Sequence, residues 1–337
     1  MGLLTISGTV RVKQFWPEAR ADADTVTVSL ARTKAFIFED DAGRRSETHA
    51  FDNAEVVGNF GPKAAVKGAD NARRVSVRLQ GVDAPELHYQ PQVPGSAGHN
   101  HPFRQSLGET CADALHDFTV SFGLAEIPCE VVTVVSKPSD VFDIFARAVG
   151  NLVLLVGGAR IDVNQWLLRE GWALPGLYNS MSEPEIRAIM TDFEAAKNNG
   201  RGLFSRQVVS TTLARFNPRQ LERRGPASFR PFSDRGRVNF PKFFRRQAEH
   251  HVRKASGLVV PAKFLDFVKS KKDDVALERE KFLRLRGRLT GSRPRPEFKQ
   301  LGTFIRGNRY PIGPELVFWE GDSKVVKAGT NKEITSW

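Results

Sequence analysis

Three separated stretches of this chain place carboxylates and arginines where a strand-like alternation starts or stops. The first, "DADTVTV" at residues 22–28, carries Asp22, Asp24 and Thr25 into an alternating run. The second, "VRLQGVDAPEL" at residues 77–87, alternates Val77 and Leu79 with Arg78 and Gln80, then breaks at Gly81, Asp83, Pro85 and Glu86. The third, "DIFARAVG" at residues 143–150, supplies Asp143 and Arg147. In a small closed barrel such strand ends can meet on one face, giving several carboxylates flanked by two arginines. Oxygen-rich ligation of this kind suits a hard divalent cation such as Ca²⁺, not zinc. The chemistry that needs the mixture is phosphodiester hydrolysis. Two aspartates can hold a metal that neutralises phosphate and orients water, and a further carboxylate can accept the proton of that water. Paired arginines then stabilise charge on the equatorial oxygens. Taken singly, Asp24 reads equally well as a turn or cap residue, Glu86 as part of an ordinary loop and Arg147 as a solvated strand residue. Their joint occurrence, in one topological order, is what points to chemistry.

The elements that must position these groups are legible as alternation. Strands are expected at residues 4–13, 25–30, 75–80, 129–135 and 145–156, and helices at about 104–118, 162–170 and 183–199. The last helix is marked by Ser182 and Glu185 at capping-box spacing, by Pro184 in the first turn and by Gly200 beyond its end. Ile186, Ile189, Met190 and Phe193 form its apolar stripe. Five strands with a helix between the third and fourth is the order of an OB-fold β-barrel, here with added α-helices. Insertions interrupt it at residues 31–74, expected to form a small ribbon around "AFIFEDDAGRR", and at 88–102, an irregular Pro-, Gly- and His-rich loop.

Composition changes after residue 206. Residues 207–337 hold 29 Lys and Arg against 13 Asp and Glu, or +16, and the remainder of the net +12 leaves residues 1–206 at −4. The expectation is a domain at 1–206 followed by a basic, mainly helical C-terminal region at 207–337 that helps to hold nucleic acid. A basic but merely solvated surface is the plain alternative. Helices are expected there at about 241–255, 261–270 and 273–286, and "ELVFWEGDSKVV" near the end resembles a hairpin. Cys111 and Cys129 have no zinc or disulfide-framework spacing and read as buried thiols of a reducing compartment. No apolar run approaches a membrane span or a signal h-region, so the chain is expected to be soluble and cytoplasmic, without a membrane partner; a removed leader stays open.

Residues 1 to about 206 resemble the staphylococcal nuclease (thermonuclease) family. The resemblance rests on "DADTVTV", "VRLQGVDAPEL", "DIFARAVGNL", "VNQWLLREGWA" and "FEAAKNNGRGLFS", which follow that family's order. It implies a nuclease-like α+β domain, and Ca²⁺ bound by Asp24 and Asp83 with the backbone carbonyl of Ala84. It also implies Glu86 as general base or water-positioning group, Arg78 and Arg147 on the phosphate, and cleavage of DNA or RNA to leave 3′-phosphate ends. Three positions depart from the family's pattern. Ala23 stands where glycine is common, Ala84 where threonine is common, and Phe145 where a tyrosine is expected. Phe145 can still stack on a base but cannot donate a hydrogen bond. Tyr178 is a second expected nucleotide contact. The alternative is a non-catalytic nucleic-acid- or protein-binding module on the same barrel, against which stands the retention of Asp24, Arg78, Asp83, Glu86 and Arg147.

Other candidates are weaker. His88, His99 and His101 read more readily as solvated loop residues than as a metal cluster. His250 and His251 are adjacent on an expected helix and so point in different directions. The phenylalanines at 240–244 and 264–267 have the spacing of core residues.

Overall fold

The computed structural model describes residues 1–205 apart from 19–20, 33, 59–60, 70–71, 97–98 and 100–101. It then describes 209–212, 216 and 237–337 apart from 273, 286–295, 308, 311–312 and 321–322. His101 and most of the basic stretch between residues 206 and 236 lie outside the described residues.

In chain order the first part contains β1 (Gly2–Arg11), β2 (Thr25–Leu30), β3 (Phe36–Glu39), β4 (Arg45–Glu47), β5 (Ala54–Gly58), β6 (Gly61–Ala64), β7 (Arg74–Leu79) and β8 (Gly81–Asp83). Next come α1 (Gly108–Val120), β9 (Glu126–Val135), β10 (Ala148–Val156), β11 (Ala159–Asp162), α2 (Val163–Arg169), β12 (Leu174–Tyr178) and α3 (Glu183–Asn198). The later part contains α4 (Pro241–Ala255), α5 (Phe264–Ser270), β13 (Val275–Glu278), α6 (Arg279–Leu285), β14 (Lys299–Gln300), β15 (Leu316–Phe318) and β16 (Lys324–Lys327).

Five strands close a barrel. β1 pairs antiparallel with β2 and β9, β2 with β7, and β9 with β10, while β7 and β10 close the ring in parallel. This is the strand order of an OB-like barrel, with α1 between the third and fourth barrel strands as alternation predicts. Inward residues alternate with outward ones: Leu4, Ile6 and Val10 on β1, Val75, Val77 and Leu79 on β7, and Ile127, Cys129 and Val131 on β9 are all buried. Cys111 and Cys129 are both buried and unpaired to each other. α3 begins with the reciprocal cap of Ser182 and Glu185, and Ile186 and Phe193 of its stripe are buried.

The insertion at 31–74 does more than form a ribbon. β3 extends the barrel sheet on β1, and β5 and β6 join a separate three-stranded sheet whose third member is β16 from the C-terminus. A second sheet runs β14-β13-β15-β12-β8, so C-terminal strands continue onto the strand that carries Asp83. Two expectations are corrected here. "ELVFWEGDSKVV" is not a hairpin, because β15 pairs with β12 and β13 while β16 pairs with β5. The run 273–286 is not one helix: Ala276 and Leu277 are buried in β13, and the helix starts only at Arg279. In both cases long-range pairing overrides local propensity. Among the described residues no helix is long and apolar enough to cross a membrane.

Candidate functional site

The ends of three adjacent barrel strands build the site. Thr25 lies opposite Arg78 in the antiparallel ladder, and Val149 lies opposite Arg78 in the parallel one. The Leu79 N–H donates to the Asp24 carbonyl at 2.9 Å, which locks Asp24 beside the arginine strand. After Leu79 the chain must turn sharply to bring Asp83 back. Gly81 makes that turn with φ +76°, a left-handed conformation that favours glycine, and a Cβ there would press on the movable end of Ile189 at 2.4 Å. β8 then pairs with β12, with Asp83 opposite Leu174.

The structure brings together the residues expected from sequence, with the three carboxylates buried. Relative exposure is 5% for Asp24, 1% for Asp83 and 6% for Glu86. Asp24 accepts from Thr25 Oγ1 at 3.2 Å and from the Ala84 N–H at 3.4 Å. Arg78 Nη2 donates to Asp83 Oδ1 at 3.3 Å and lies 3.5 Å from the Tyr178 hydroxyl. Arg147 Nη1 reaches Thr25 Oγ1 at 3.5 Å. Phe145 stands at the rim, 40% exposed, with the Arg147 guanidinium 5.2 Å and Lys63 Nζ 5.4 Å from its ring centre. Lys63 belongs to β6, so the 31–74 insertion forms one wall of this rim. Asp22 adds a further carboxylate: its Oδ1 accepts from the Leu87 N–H at 2.8 Å and lies 3.3 Å from His88 Nδ1. His250 and His251 do point apart, one to the Pro261 carbonyl and the other onto Phe103 and Phe216.

What sequence reasoning missed is Arg245. This residue of α4 forks onto Asp83, Nη1 to Oδ1 at 3.2 Å and Nη2 to Oδ2 at 3.3 Å, and its Nη1 also donates to Glu86 Oε1. A signal was present. Pro241, Ala248 and Val252 are buried on α4, and Arg245 sits four residues from the first and three and seven from the others, inside the same stripe. A charge in a buried stripe calls for a partner. Gln105 fastens the two parts of the chain nearby: its Oε1 accepts from the Glu86 N–H at 3.2 Å and its Nε2 donates to the Asn239 carbonyl at 2.5 Å.

Crowding sets the electrostatics. Burial pushes the Glu86 carboxyl up to about 8, opposed by Arg245 and reinforced by Asp22, Asp24 and Asp83. Burial also raises Asp24; Arg78 opposes that rise, and Asp83 and Asp22 add to it. Arg78 is desolvated, yet Tyr178, Asp24 and Asp83 more than compensate and its protonation is strengthened. The donors Asp24, Asp83 and the Ala84 carbonyl are oxygen only and fit a hard cation in kind. Among the described residues, however, no three His, Cys, Asp or Glu side chains converge as a ready metal group, and Asp83 is shared by two guanidiniums.

No family model matches this chain, and no curated protein matches it.

Proposed function

We propose that the chain is a phosphodiesterase acting on DNA or RNA, with the barrel end as its catalytic centre. The observation that carries this reading is the placement of Arg78 on β7 and of Arg147 immediately before the neighbouring strand β10, with Arg78 paired to Asp83 and both guanidiniums acting on Asp24. Two guanidiniums suit the oxygens of one phosphate, and they remain charged at any pH the protein meets. Glu86 is the group to take a proton from attacking water, since burial lifts its carboxyl towards the working pH, where a general base is most effective. Phe145 offers a face for a base, and Tyr178 a hydroxyl beside Arg78. A divalent cation, Ca²⁺ by donor type, would be held by Asp24, Asp83 and the Ala84 carbonyl and would supply charge neutralisation and a more acidic water. The sequence resemblance to the thermonuclease family supports the same assignment.

The test is digestion of single-stranded DNA, duplex DNA and RNA with Ca²⁺ or with chelator, using wild type, Glu86→Gln and Arg78→Ala. Glu86→Gln is expected to lower turnover by roughly 10²- to 10⁴-fold, and Arg78→Ala by about 10²-fold or more. Wild-type turnover in Glu86→Gln would refute the assignment of that residue. A second reading, nucleic-acid binding without cleavage, is favoured by one observation: Arg245 already occupies both Asp83 and Glu86. Binding with no cutting under any of these conditions would select it.

A further inference from the structure

The guanidinium of Arg245 stands where the carboxylates would otherwise meet a cation. It engages both oxygens of Asp83 and one of Glu86, and Asp83 is the residue that the reading above assigns to the metal. Arg245 comes from a helix fixed in place by much else. Arg246 and Lys242 of α4 pair with buried Asp274, Phe240 stacks on Phe318 at 5.6 Å, and Phe243, Ala248 and Val252 are fully buried. The charge is therefore delivered by the core and is not the tip of a loose tail.

We infer that Arg245 is the resident cation of this site, a residue that competes with a divalent metal for Asp83 and sets the site's cation affinity. The inference rests on the catalytic reading of the same carboxylates. Its physical basis is simple. A dication and a guanidinium on one carboxylate repel each other, so each must weaken the other's hold. With Arg245 in place the carboxylates of Asp83 and Glu86 are paired from within the protein; without it two buried carboxylates lose that guanidinium, a loss that a hard dication can offset. Substrate competes less directly, because Arg78 and Arg147 are not held by Arg245.

The experiment is calorimetric titration of the full chain with CaCl₂ alone, no nucleic acid present, for wild type, Arg245→Met and Arg245→Lys. Wild type is expected to bind Ca²⁺ weakly, at about millimolar, the range of the weakest natural calcium sites. Arg245→Met should bind about 10-fold or more tightly, with a correspondingly larger rise in melting temperature on adding Ca²⁺. Arg245→Lys keeps the charge but loses the fork and should fall between them. Asp83→Asn combined with Arg245→Met should abolish the gain. Micromolar Ca²⁺ affinity in wild type overturns the inference by itself, even if Arg245→Met does not fold. Variants that bind Ca²⁺ no better than a weakly binding wild type overturn it too. A gain in affinity without nuclease activity would sustain the role of Arg245 and remove the catalytic reading, whereas equal affinities with Ca²⁺-dependent cutting would do the reverse.

Discussion

Asp143 holds Arg147 from both ends of its carboxylate. Oδ2 takes Nε at 2.8 Å and Nη2 at 2.7 Å, while Oδ1 accepts the backbone N–H groups of Phe145 at 2.9 Å and Arg147 at 3.0 Å. One side chain thus shapes the turn before β10 and aims the guanidinium that it carries. Asp143 acts through Arg147 and is a positioning residue. Asp143→Ala should leave a folded protein whose kcat/KM falls by about 10- to 10²-fold through lost orientation. The measurement that separates positioning from general destabilisation is kinetic: Arg147→Ala in the Asp143→Ala background should add little beyond Arg147→Ala alone, because both changes remove the same interaction. Fully additive losses would show that Asp143 acts elsewhere.

Phe145 and Lys63 form the accessible rim of the site. A base stacked on an aromatic ring contributes about 1–3 kcal/mol, so Phe145→Ala should weaken binding of single-stranded oligonucleotides by roughly 10- to 10²-fold. Phe145→Tyr should change little. Lys63→Ala should reduce the salt slope of binding by about 0.7 on single strands, the effect of one lost phosphate contact. Fluorescence anisotropy across a salt series reads both effects, and an unchanged slope in Lys63→Ala would remove the insertion from the binding surface.

Acid sensitivity should come from Asp274. Its burial would raise its carboxyl, but Lys242 and Arg246 more than offset this and hold it well below the usual carboxylate range. A folded pKa below the unfolded value of about 4 gives stability that is complete above that value and is lost as pH falls below it. Asp274→Asn should therefore lower the melting temperature at pH 7, the loss of one partner in such a buried pair being about 3–5 kcal/mol. The gap from wild type should narrow as pH drops from about 4 towards about 2 in calorimetric scans. A gap that stays constant across that range would show that the ion pairs contribute nothing at neutral pH.

The barrel was legible because each strand buries alternate residues, a pattern that survives in sequence: β2 coincides with the expected run at 25–30, and α4 with the helix at 241–255. Asp24, Arg78, Asp83, Glu86 and Arg147 were legible as strand-end residues for the same reason. What could not be read locally was pairing between distant segments. β15 on β12, β16 on β5 and Arg245 on Asp83 each span well over a hundred residues, and nothing within either partner names the other. Charge counting leaves out pairing in a related way. Lys242, Arg245, Arg246, Arg253 and Lys271 all belong to the +16 excess, yet each pairs with a carboxylate inside the protein. Those charges serve the fold before they serve any polyanion.

The shared sheets bear on what the barrel can do alone. A chain ending at Ser205 would lose the β15 partner of β12 and the β16 partner of β5. It would also uncover Leu177, Met181 and Ile186, which now pack in one cluster with Leu277, Phe282, Phe298 and Val317. Each such side chain contributes about 1.5–3 kcal/mol when fully buried, so several lost together rival the whole stability of a typical domain. The truncated chain is expected to melt far below the full protein or to aggregate, and in any folded fraction Asp83 and Glu86 would lack Arg245. Thermal melts followed by circular dichroism, beside the full chain, check this. A Ser205 truncation that melts cooperatively within a few degrees of the full chain, about the shift of 1 kcal/mol in a domain this size, would establish the barrel as an independent unit and reduce the C-terminal strands to an attachment.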